Sequence, residues 1–98
     1  LRVRIRAANE KTMSEVVLYT TMMCPYCFRA KQLLEDKGVP FTEIDVGMDP
    51  DMREEMAVRS GGRRTVPQIF VGTTYVGGSD DLYALERAGK LDALLASG

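Results

Sequence analysis

The chain is expected to fold as a single α/β domain, a mixed four-stranded sheet with helices on both faces and the element order β-α-β-α-β-β-α-α. Three observations predict it. The strand-like run Val16-Val17-Leu18-Tyr19 is followed at once by a helical pattern reaching Lys37 and then by a second strand-like run. A helix between two strands so close in sequence implies a parallel pair with a right-handed crossover. Further along, two strand-like runs are separated only by Gly72-Thr73, which predicts an antiparallel hairpin.

Taken in order, residues 1–12 stand apart. They carry Arg2, Arg4, Arg6 and Lys11 against the single acid Glu10, which leaves the remainder with a net charge of about −4. Residues 1–12 are read as an N-terminal extension, a tag or an Arg-rich leader remnant, and residues 13–98 as the folded domain, with Met13 as a natural start. Arg2-Val3-Arg4-Ile5-Arg6 alternates with period two, so the extension is expected to be an extended arm on a sheet edge or on a neighbouring molecule.

Val16 to Thr20 is a buried first strand by composition. The first helix is expected from Pro25 to Lys37, with Cys27, Ala30, Leu33 and Leu34 on one face. Gly38 suits the position just past its end, and Pro40 follows. Phe41-Thr42-Glu43-Ile44-Asp45-Val46 alternates as the second strand. Asp49 and Pro50 open the next helix as N-cap and first residue, and Gly61-Gly62 closes it. Val66 to Val71 reads as the third strand, its Pro67 fitting an edge, a first residue or a cis bond. Thr74-Tyr75-Val76 is the return strand, and Gly77-Gly78 breaks it. Ser79 or Asp80 is expected to cap a helix carrying Leu82, Leu85 and Ala88; a short last helix shows Leu91, Leu94 and Leu95.

The bulk composition excludes several classes. At 98 residues, 45% hydrophobic and 28% charged, the chain matches one globular domain with a core. A net charge of −1 gives nucleic-acid binding no electrostatic support. No apolar run approaches the length that spans a bilayer, so no membrane partner is expected. Two lone cysteines fit a reducing, cytoplasmic compartment better than secretion.

Chemistry is expected at Cys24-Pro25-Tyr26-Cys27. The first N–H groups of a helix lack intrahelical partners, and the macrodipole adds about half a positive charge there. A thiolate on Cys24 is stabilised by that field, and Pro25 fits the first turn, where a missing N–H costs nothing. Cys27, one turn in, is expected to be more sheltered. With no histidine and two cysteines, the chain falls short of the four ligands of structural zinc, so no metal site is expected. A permanent disulfide would close too short a loop to stabilise much. A working dithiol remains, and Cys-x-x-Cys near a βαβ pattern is a thioredoxin-like redox signal.

Three motifs in order, Cys24-Pro25-Tyr26-Cys27, Thr65-Val66-Pro67-Gln68-Ile69-Phe70 and Gly77-Gly78-Ser79-Asp80-Asp81-Leu82, strongly resemble a dithiol glutaredoxin of the bacterial type across about residues 14–96. The resemblance implies the thioredoxin fold and a cis Val66–Pro67 bond facing the cysteines. It implies glutathione as co-substrate, no tightly bound cofactor, and reduction of protein disulfides and glutathione mixed disulfides by a monomer. By the same resemblance Ser79 and Asp80 would bind the γ-glutamyl end, Val66 the cysteinyl backbone, and Tyr26 would line the groove. The residue types agree. A cis peptide turns the Val66 backbone outward to pair with an extended peptide, with Pro67 and the Thr65 side chain on the same rim. Gly78 admits close approach because no Cβ intrudes, and N–H groups opening a helix hold a carboxylate.

The chain departs from the family where many members carry lysine three residues before the first cysteine; here Thr21 stands. Arg53, Arg63 or Arg64 is expected to replace that lysine as carboxylate partner, since arginine binds carboxylates bidentately. Ser79 stands where a cysteine is common in the family. Three alternatives share the same cysteines, a redoxin served by thioredoxin reductase, a dimer bridging a [2Fe–2S] cluster with glutathione as co-ligand, and a non-catalytic thioredoxin-fold adaptor, which the two intact cysteines argue against. The Gly-Gly-Ser-Asp stretch argues against the first, and Pro25 and Tyr26 against the second.

Overall fold

The computed structural model describes residues 2–4 and 14–96. The elements are β1 (Arg2–Arg4), β2 (Val16–Thr20), α1 (Pro25–Asp36), β3 (Phe41–Asp45), α2 (Pro50–Arg59), β4 (Gln68–Val71), β5 (Thr74–Gly77), α3 (Ser79–Arg87) and α4 (Leu91–Ala96). From β2 onward the order is the β-α-β-α-β-β-α-α of the sequence, arranged as a mixed sheet β3-β2-β4-β5. β2 and β3 run parallel, joined through α1, while β2–β4 and β4–β5 are antiparallel. β1 adds a fifth strand at the β3 edge, antiparallel with Arg2 opposite Glu43 and Arg4 opposite Phe41. The rest of the N-terminal extension, the proposed boundary at Met13 included, lies outside the described residues.

Strand alternation divides the core into two layers. On one face Val16, Leu18, Ile69 and Val71 pack with Ala30 and Leu34 of α1, Leu82 of α3, and Leu91 and Leu95 of α4. On the other face Tyr19 and Phe70 pack with Val46 and with Met56 of α2. Each fully buried Leu or Ile contributes about 1.5–3 kcal/mol by leaving water. The Tyr19 and Phe70 rings meet edge-on at 5.9 Å, and the Arg59 guanidinium lies 4.2 Å from the Phe70 ring centre.

Local signals set most boundaries. Asp49 caps α2, its side chain accepting from the Met52 N–H at 3.0 Å, with Pro50 in the first turn. Gly38 follows α1 at φ 71°, a conformation that favours glycine. Two expectations need correction. The strand placed at Val66 to Val71 begins at Gln68, because Pro67 has no N–H for the ladder; the Val66–Pro67 bond is cis. The cap placed at Ser79 or Asp80 is Gly78, which has extended backbone angles while Ser79 already occupies the first helical position.

Candidate active site

The site begins at the junction of β2 and α1. Cys24 is the N-cap of α1, with extended φ −122° and ψ 107°, and Pro25 holds the first turn. This geometry aims the Cys27 N–H at the Cys24 sulfur, 3.2 Å away. One of the helix's unpaired donors is thereby satisfied by sulfur, as a serine or aspartate cap would do with oxygen. The Cys24 thiol also reaches the Val66 carbonyl oxygen at 3.8 Å, which brings it against the Val66–Pro67 turn.

The two sulfurs differ in environment. Cys24 is 8% exposed and Cys27 only 1%, so reagents and substrates meet Cys24 first. Burial, and then the hydrogen bond with Cys24, push the Cys27 thiol up to about 12, against smaller opposing effects of the Thr21 backbone and the Lys31 charge. Cys27 therefore stays a neutral thiol near pH 7.

Beside Cys24 lies an open groove of about 210 Å³. One wall is Thr65, Val66 and Pro67, and the facing wall is Gly78, Ser79 and Asp80 at the start of α3, with Tyr26 also lining it. The structure thus gathers eight of the ten binding residues expected from the sequence into one groove. Arg53 and Arg64 are not among its lining residues. Arg64 is turned to Glu54 in an exposed pair at 2.8 Å. Among the described residues the Arg53 Nε, on α2, is buried without a hydrogen-bond partner. Arg63, from the same Gly-Gly-Arg-Arg loop, does line the groove.

Two lining residues were not singled out from the sequence, and both act as supports. Gln68, 2% exposed, donates from Nε2 to the Thr65 carbonyl at 2.9 Å and to the Thr65 hydroxyl at 3.1 Å, fixing one rim. Asp81 accepts from the Gly78 N–H at 2.9 Å and ties down the other. Its position three residues after the cap was the available signal, since acids there close capping boxes. The Ser79 Oγ is buried and unpartnered among the described residues, at the helix end where backbone N–H groups collect anions.

Comparison with known proteins supplies the family. The Glutaredoxin family model matches residues 16–76. The chain is 62% identical over 85 residues to a glutaredoxin of Pseudomonas aeruginosa, covering 87% of this chain and all of that protein. The solution structure of a glutaredoxin from Brucella melitensis superposes with a TM-score of 0.78 at 57% identity, covering 89% of this chain and 94% of that one. A buckwheat glutaredoxin–glutathione complex aligns with a TM-score of 0.74 at 30% identity, covering 82% of this chain and 74% of that one.

Proposed function

Because this chain belongs to the glutaredoxin family and is a glutathione-dependent thiol-disulfide oxidoreductase, we propose that Cys24 is its nucleophile, Cys27 its resolving thiol, and the groove beside them its glutathione site. The observation that carries this reading is the N–H of Cys27 held on the Cys24 sulfur, which itself reaches the Val66 carbonyl on the rim of the groove. An N–H at a helix start stabilises negative charge on the atom it faces.

In the proposed cycle the Cys24 thiolate attacks the glutathione sulfur of a mixed disulfide. The old S–S bond breaks, its electron pair leaves on the target sulfur, and that sulfur takes up a proton. A second glutathione then attacks the Cys24–glutathione bond and releases Cys24 and oxidised glutathione. For a protein disulfide, Cys24 attacks one sulfur and Cys27 displaces the target from the resulting intermediate, forming Cys24–Cys27. Two glutathiones reduce that bond. Glutaredoxin potentials of about −200 to −230 mV suit exchange with a cytosolic glutathione pool.

Within the groove, the Val66 backbone pairs with the cysteinyl part of the tripeptide, with Thr65 and Pro67 completing that rim. Gly78 lets the ligand approach the backbone, Ser79 and its neighbouring N–H groups receive the γ-glutamyl carboxylate, and Asp80 faces the ammonium. Tyr26 covers the thiol end. Arg63 is the better placed of the basic candidates for the glycine-end carboxylate, because it lines the groove while Arg64 is engaged by Glu54. Arg53 remains the third candidate.

The partners proposed are glutathione and proteins that carry disulfides or glutathione adducts. Exposed Met22, Met23 and Phe28, close to the cysteines in sequence, offer adaptable apolar contact to such proteins. No tightly bound cofactor is needed for the chemistry. A monomer in the cytoplasm is the proposed form; among the described residues no helix is long and apolar enough to cross a membrane. The test is turnover of a glutathione mixed disulfide with glutathione and glutathione reductase as electron supply. Turnover with thioredoxin reductase alone, and none with glutathione, overturns the reading.

A further inference from the structure

One partly buried polar cluster has no part in the proposed cycle. Lys31 lies four residues after Cys27 on α1, a spacing that puts both on the same side of the helix. Its ammonium donates to Glu43 of β3 at 2.9 Å, and the two side chains are only 18% and 10% exposed. The same carboxylate oxygen accepts from the Thr20 hydroxyl of β2 at 2.8 Å. The Lys31 nitrogen also sits 4.9 Å from the centre of the Phe28 ring. A long flexible side chain is thus fixed by a strand carboxylate and an aromatic face, beside the helix turn that carries the resolving thiol.

A surface ion pair of this kind would be worth little, because solvent screens it and ordering two side chains costs entropy. This one is withdrawn from water, so its charges act strongly on near neighbours. The groups acting on the Cys27 sulfur are Cys24 from the helix cap, the Thr21 backbone from the preceding loop, and Lys31 from α1. Glu43 from β3 accepts from Lys31 and from the Thr20 hydroxyl of β2, and Arg2 of β1 stands opposite Glu43 in the strand pairing. Lys31 is the one cation among the groups acting on the sulfur.

We propose that Lys31, locked by Glu43 and Thr20, is the positioning residue for the resolving thiol and sets how fast Cys27 breaks the mixed disulfide on Cys24. In that step Cys27 first loses its proton to solvent. Its thiolate attacks the Cys24 sulfur, the Cys24–Cys27 bond forms and the bond to the target breaks. The target leaves with the electron pair and is protonated, so the enzyme dithiol is oxidised as the target is reduced. The rate rises with the thiolate fraction of the attacking sulfur, offset in part by the lower nucleophilicity of a less basic thiolate. A fixed positive charge beside Cys27 raises that fraction; removing the charge lowers it. Deglutathionylation through Cys24 alone needs no such step, so Lys31 tunes the dithiol route selectively.

This rests on the assignment of Cys27 as the resolving thiol, and the test separates the two ideas. The reduced enzyme is mixed in stopped flow with a stoichiometric amount of the chromogenic nitrothiobenzoate disulfide. Attack by Cys24 releases a first coloured thiolate and resolution by Cys27 a second, so the ratio of the two rates isolates resolution. In Lys31→Met that ratio is expected to fall about threefold at neutral pH, the lower thiolate fraction being partly offset by the higher nucleophilicity of a more basic thiolate. The pH profile of the second release moves alkaline, and Lys31→Arg restores both. Should Lys31→Met fold poorly with the Lys31–Glu43 pair broken, Lys31→Met/Glu43→Leu replaces the pair by apolar contact. It is expected to fold and still resolve slowly. An unchanged ratio in the folded variants, or a fall without the pH displacement, overturns the proposal. A second release surviving in Cys27→Ser would instead overturn the assignment of Cys27.

Discussion

The backbone N–H of Cys27 points at the sulfur of Cys24 across 3.2 Å, so the proposed resolving residue also prepares the proposed nucleophile. One helical turn supplies both relationships. The cap position leaves Cys24 8% accessible beside the groove wall at Val66, and the next turn buries Cys27 to 1%.

Replacing the two sulfurs separates the two routes. Cys24→Ser is expected to abolish both deglutathionylation and protein-disulfide reduction. Cys27→Ser is expected to retain deglutathionylation and lose most protein-disulfide reduction. Both variants keep the cap geometry, since serine is a good N-cap and fits the same turn. Residual turnover in Cys24→Ser would move the nucleophile elsewhere.

Alkylation should be selective. Because the Cys27 thiol is pushed up to about 12 and is 1% exposed, iodoacetamide at neutral pH is expected to modify Cys24 alone, one label per chain by mass spectrometry. Two labels in the folded protein would show that Cys27 is accessible and ionised.

Alkaline pH should destabilise the fold. Cys27, with an ordinary value of 9.0 raised to about 12, favours the folded state as a neutral thiol. That contribution is fully present below about 9 and is lost as pH rises through about 12, because the unfolded chain releases the proton first. Tyr19, raised above its ordinary 10.0 chiefly by burial, acts with the same sign. Thermal melts between about pH 8 and 12 should show falling Tm, with a shallower fall in Cys27→Ser that identifies the Cys27 share.

Arg63→Ala is expected to raise the KM for glutathione by about fivefold, as one exposed charged hydrogen bond of about 1 kcal/mol is lost. Arg64→Ala, whose guanidinium is paired with Glu54, and Arg53→Ala should change it less. If all three leave KM unchanged, the glycine-end carboxylate is held by other groups.

Gly77→Ala is expected to destabilise the protein by about 1–3 kcal/mol, because Gly77 has φ 114° and its new Cβ would collide with the Asp81 carboxylate. Displacing Asp81 also frees the Gly78 N–H that it holds, loosening one wall of the groove. Denaturant melts and glutathione KM should therefore worsen together; a change in stability alone would detach Asp81 from binding.

The sequence by itself determined the elements and the chemistry of the dithiol. Cys24, Pro25 and Cys27, the Asp49-Pro50 start and the Gly38 stop are short-range signals, each satisfied within a few residues of itself. Period-two alternation likewise divided the strand residues between two core layers. The tertiary structure alone decided which basic residue borders the groove, since Arg63 and Arg64 are adjacent and chemically alike while only Arg63 lines it. It also decided that Lys31 meets Glu43, twelve residues away on the neighbouring strand. Contacts of that kind depend on the pairing of β2 with β3 and on how α1 lies across the sheet. A side chain cannot disclose its partner until distant backbone has been brought beside it.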